Sequence, residues 1–82
     1  MSKLIDEPVT VHIKNNAPAA FIWRRRNYRV IEVISRWWEP ARWWDGENAR
    51  LLVQLLAANS TTTGIYELAK HDADWFLHRL LD

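Results

Sequence analysis

Eighty-two residues with a net charge of +1, six tryptophans and no cysteine read as one domain, 1–82, and exclude a disulfide-stapled scaffold. A chain this short buries only about 60% of the surface its unfolded form exposes. The tryptophans, each able to bury roughly 150–250 Å², must therefore supply much of the core, and the near-neutral charge argues against a general polyanion binder.

Met1 to Glu7 has no apolar run and reads as neither signal nor transit peptide, so the expected location is cytoplasmic. No apolar stretch approaches the roughly 20 residues that cross a bilayer, and no membrane partner is expected. Asp6-Glu7-Pro8 reads as a polar, turn-like start. Val9, Val11 and Ile13 then alternate with Thr10, His12 and Lys14, the two-residue period of a half-buried strand. Asn15-Asn16-Ala17-Pro18 interrupts it with turn chemistry.

Residues 21 to 44 carry Arg24, Arg25, Arg26, Arg29, Arg36 and Arg42 against Glu32 and Glu39, so one face of the protein is expected to be cationic. Phe21-Ile22-Trp23 and Tyr28-Arg29-Val30 flank the basic run as the arms of a hairpin. With Arg25 and Arg26 at the tip, Trp23 falls opposite Tyr28 and Phe21 opposite Val30. Those four share one face, and Arg24, Asn27 and Arg29 share the other. Arginine suits such a tip poorly, because the favoured hairpin turns need positive φ. Asn27 in the left-handed position gives a longer loop as the alternative.

Val30-Ile31 and Val33-Ile34 continue as strand into Trp37-Trp38-Glu39-Pro40. A helix through Val30, Ile34, Trp37 and Trp38 fits the spacing as well, but β-branched content favours strand. Pro40 ends the element either way. Trp43-Trp44-Asp45-Gly46 follows as a turn-bound aromatic pair. From 47 to 58, Leu51, Leu52, Leu55 and Leu56 suit a helix face, while Leu51, Val53, Leu55 and Ala57 suit a strand. Pattern and propensity alone give helix. Asn59 to Gly64 is a polar loop, expected to be mobile. The end reads as a hairpin, Ile65 to Lys70 and Trp75 to Leu81, turning at Asp72-Ala73. Leu68 then faces Leu77, Ile65 faces Leu80 and Glu67 faces His78.

Asp6-Glu7-Pro8-Val9, Phe21-x-Trp23-Arg24-x-Arg26-x-Tyr28-x-Val30, Val33, Arg36-Trp37-x-Glu39, Trp44, Tyr66-Glu67-Leu68, Trp75-x-Leu77 and Asp82 together form a pattern. It resembles a bacterial family of small uncharacterised domains, found free-standing or as the C-terminal tail of inactive Y-family DNA-polymerase-like proteins of the ImuB type. The chain departs from that family in having Arg25 where glycine is usual in the tip. It also has Leu51-Leu52-Val53-Gln54 where an aromatic strand is usual. The second correspondence implies strand, not helix, for 50 to 57. The resemblance carries no catalytic residue and implies a link to DNA-damage tolerance.

The fold expected is all-β, with at most one short helix: a small curled antiparallel sheet or partly open barrel of about six strands. Trp23, Trp37, Trp43, Trp44 and Trp75 are expected mainly in the core. Adjacent strand residues point to opposite faces, so one of Trp37 and Trp38 lies outside, and Trp38 is the candidate. Arg36 and Arg42 are expected to stack on neighbouring indoles. Arg24, Arg25, Arg26 and Arg29 suit phosphate groups through forked contacts, or, more plainly, charge that guards a sheet edge.

His71-Asp72-x-Asp74 lacks a further clustered ligand, Ser35 and Ser60 lack a neighbouring histidine, and Gly46 and Gly64 are too few for a phosphate-cradling loop. No metal, cofactor or enzymatic activity is expected. The functional expectation is a protein-interaction module docking through Arg36, Trp38 and the basic tip, on a repair or replication protein. The alternative is a single-stranded nucleic-acid binder using Arg24, Arg25, Arg26 and Arg29 on phosphates and an exposed indole on a base. A monomer or weak homodimer is expected, with 50 to 57 as the edge strand that would pair across a two-fold axis.

Overall fold

Alternation of apolar and polar residues at period two runs through most of the chain, and each run becomes a strand. The structure is a computed structural model that describes residues 3–40 and 50–81. Its elements are β1 (Lys3–Lys14), β2 (Ala17–Trp23), β3 (Arg26–Glu39), β4 (Arg50–Ala58), β5 (Thr63–His71) and β6 (Asp74–Leu81). Each strand pairs antiparallel with the next, and β6 returns to β1, so the sheet closes into a six-stranded barrel. The expectations at Trp43, Trp44, Arg42 and Asp82 lie outside the described residues, as does the start of the 47–58 segment.

Residues 50–58 form strand β4, which overturns the helix that pattern alone indicates. Leu51, Val53, Leu55 and Ala57 line the interior while β3 and β5 pair with β4 on either side. Leucine satisfies both periods, and the two flanking ladders decide between them. The same pairing corrects the expectation of an edge: β4 is the middle of three strands and has no free side to offer a second copy.

The β2–β3 hairpin keeps the expected faces but not the expected register. Trp23 pairs with Arg26, and Phe21 with Tyr28, so the two-residue tip is Arg24-Arg25. Both tip residues have positive φ, 51° and 64°, the mirror-image turn whose twist matches the strands it joins. The shift moves each partner by two positions and therefore leaves rings inward. Phe21 and Tyr28 stack at 4.9 Å between ring centroids, with Tyr66 edge-on to Phe21 at 5.5 Å. Phe21, Leu55, Leu68 and Leu77 are fully buried around them, and burial pushes the Tyr66 phenol up.

The other turns use residues that tolerate positive φ. Asn15-Asn16 joins β1 to β2, so Ala17 and Pro18 already belong to strand. Asp72-Ala73 joins β5 to β6 where expected. Asp6, also at positive φ, sits in an irregularity of β1 between Leu4 and Glu7, so the polar start is absorbed as a bulge and not as a turn. In the last hairpin Leu68 pairs with Leu77 as expected. Beyond it His78 is the extra residue of a bulge, so Glu67 faces Arg79 and Ile65 faces Leu81.

Candidate functional site

Two groups of candidate residues lie on β3, one at each end. Twelve steps at about 3.3 Å each separate Arg26 from Trp38, roughly 35–40 Å along a strand shortened by bulges. The molecule itself is 43 Å in its longest dimension. Arg36 and Trp38 thus do not join the arginines of the tip in one surface. That corrects the single docking face expected from their closeness in sequence.

At the tip, Arg24 is already engaged. Its Nη2 and Nε donate to the two carboxylate oxygens of Glu7 at 2.7 and 3.0 Å, and Trp23 Nε1 donates to the same carboxylate at 3.0 Å. The guanidinium lies 4.6 Å from the centroid of the Trp23 ring, a cation–π contact that was expected of Arg36, which makes none among the described residues. The Arg24 hydrogen bonds, aided by Trp23, hold the Glu7 carboxyl at about 2, and Glu7 raises Arg24 in turn. Arg24 is thus held at the hairpin tip against Trp23 and Glu7.

Arg25, Arg26 and Arg29 are exposed, and among the described residues none has a carboxylate within ion-pair distance. Arg29 points outward between Ala20 and Ala58, small neighbours that leave a depression. Asn27, Asn59 and Ser60 line this depression and also an adjoining one, which Arg26 and Thr61 complete. The far wall is the β4–β5 loop, which sequence reasoning left as a mobile stretch. Asn59 holds it: its Oδ1 accepts from Thr61 N, Thr62 N and Thr61 Oγ1 at 2.8–3.1 Å. An asparagine two residues before a threonine pair is the local signal for such a turn.

The other end of β3 is apolar and exposed. Ladder pairing with β2 ends at Ala20–Arg29, and among the described residues Val30 to Glu39 pairs with β4 alone. Two bulges interrupt that pairing, at Ile31 and at Ile34. Both isoleucines are exposed, as are Trp37 at 38% and Trp38 at 67%. Trp37 stands opposite Leu52 on the outer face and Trp38 opposite Leu51 on the inner, so the two indoles do point apart. The exposure expected of Trp38 is present; that of Trp37 and the isoleucines was missed. Arg36 is exposed between them, while Glu39 is tied to Arg50 at 2.9 Å.

Titratable clusters elsewhere are small. His78 lies between Asp6 and Glu67 at 3.6 and 3.7 Å, with a buried Nδ1 that has no hydrogen-bond partner. Among the described residues no group of histidine and carboxylate side chains gathers at metal-ligand spacing.

A family model described as "Domain of unknown function (DUF6504)" matches residues 1–82. No curated protein and no solved structure matches the chain.

Proposed function

Since the chain belongs to the DUF6504 family, whose description assigns no activity, we propose its function from geometry: a non-enzymatic protein-interaction module that docks a partner along the far length of β3. One observation carries the proposal. Ile31, Ile34, Trp37 and Trp38 stand exposed on a length of strand paired only with β4 among the described residues.

Fully burying a large apolar side chain is worth about 1.5–3 kcal/mol, and this chain forgoes part of that gain at four neighbouring positions. A partner that covers them recovers it. Tryptophan and arginine are the residues that most often dominate interface energies, and exposed Arg36 directly precedes the two rings. The occupant is an extended, apolar-rich segment of another protein laid beside β3, the strand-addition mode of recognition. Bulges at Ile31 and Ile34 break the regular backbone ladder, which discourages indiscriminate edge pairing. Side chains therefore select the partner. The resemblance to the tails of inactive Y-family polymerase-like proteins supports seeking it among repair and replication proteins.

A photoreactive phenylalanine at position 34 tests the proposal in cells of the source organism, with the same group at exposed His12 as control. One partner, captured from position 34 only and lost in a Trp38→Ala background, is the expected result. Capture of the same proteins from both positions would reject docking on β3.

A further inference from the structure

Beyond the β3 surface, and independent of it, the strain at the hairpin tip points to a second ligand. Among the described residues, six that are not glycine have positive φ. Asp6, Asn15, Asn16 and Asp72 are of the types whose short polar side chains tolerate that conformation. Arg24 and Arg25 are the exceptions. Arg24 recovers its strain through Glu7 and Trp23, but Arg25 has no such contact among the described residues. Strain kept where a glycine would relieve it is a mark of function.

We infer that Arg26 and Arg29, with the β4–β5 loop opposite, form a groove that, together with Arg25 at the adjoining tip, binds the phosphodiester backbone of a single-stranded nucleic acid. Forked guanidinium groups match phosphate oxygens; Arg26 and Arg29 line the groove and Arg25 stands at the tip beside it, all three without a carboxylate partner among the described residues. Asn27, Ser60 and Thr61 line the same two adjoining depressions and supply neutral polar groups. The two depressions share Asn27, Asn59 and Ser60, making an open track that suits a chain of phosphates more than one enclosed ion. A plainer role for the charge, guarding a sheet edge, fits Arg26 but not Arg29, which is paired on both sides, with Ala20 of β2 and Ala58 of β4. Arg24, bound to Glu7, is not part of the groove, and Trp38 lies too far away to stack on a base beside it.

Anisotropy of a labelled single-stranded oligothymidylate, titrated with the full chain, tests the inference. Three phosphate contacts predict affinity falling roughly 20-fold between 50 and 200 mM salt. Arg26→Gln with Arg29→Gln should weaken binding at least tenfold, and Trp38→Ala should leave it unchanged. Arg25→Gly relieves the turn, so weaker binding by that variant at a melting temperature no lower than wild type cannot come from unfolding. Binding that ignores the arginine substitutions, or no binding at low salt, would overturn the inference. So would equal affinity for inorganic phosphate, which assigns the groove to a free anion, or for oligoglutamate, which makes it a general charge effect.

Discussion

β3 passes through two regions that use the same residue types in opposite ways. At its start Tyr28 stacks on Phe21 of β2 and abuts Tyr66 of β5, with almost no surface left to water. Further along, Ile31, Ile34, Trp37 and Trp38 sit on a strand paired on one side, and Trp38 keeps two thirds of its surface exposed. Composition does not distinguish these lengths. The difference is whether β2 is still alongside: it leaves after Arg29, and two bulges then bend β3 away. The first region lies in the barrel core, and the second is apolar surface left largely open to solvent.

The sharpest way to break this comparison is to truncate one ring in each region. Phe21→Ala empties the centre of the aromatic cluster and should cost about 3–5 kcal/mol in denaturant unfolding. A small effect there would mean that the stack is not the core. Arg25→Gly should stabilise by about 1 kcal/mol, because glycine adopts the left-handed turn without strain. A loss of stability would show that the tip arginine is held by contacts within the barrel. Trp38→Ala should change stability by less than about 0.5 kcal/mol, as befits an exposed side chain outside the core.

Glu7→Gln acts on a slope more than a level. The folded chain holds the Glu7 carboxyl at about 2, below its ordinary 4.5, so the unfolded state binds more protons between those values. The Glu7 contribution is thus complete above about pH 4.5 and fades as pH falls toward 2. The glutamine variant should show a flatter acid limb, and added salt should reduce the difference, since the pair is open to solvent. Parallel acid limbs for the two proteins would show that Glu7 is not tied to Arg24 in solution.

Much of the barrel was legible because alternation survives in short runs. Val9, Val11 and Ile13 marked β1, Asp72-Ala73 marked the last turn, and rings opposite guanidinium groups marked the faces of the first hairpin. Its register was not legible, because turn preferences steer the tip away from Arg24-Arg25, whose strain only the structure reveals. β4 was ambiguous because leucines at 51, 52, 55 and 56 meet either period. Closure was hidden too, since nothing local says that β6 returns to β1. The candidate site suffered from a length error. Arg26 and Trp38 are near in sequence, but one uninterrupted strand carries them to opposite ends. A signal for the exposed length was present in Val30-Ile31 and Val33-Ile34. Adjacent apolar residues on a strand cannot both face inward, and the second of each pair is where β3 bulges.

Amide hydrogen exchange along β3 in dilute protein tests most directly whether the strand offers a free side. Arg29, with a ladder on each side, should be protected, whereas amides from Val30 to Glu39 that point away from β4 should exchange far faster. Uniform protection from Arg29 to Glu39 at every protein concentration would mean that this side is already occupied within the fold, leaving no place for a partner strand.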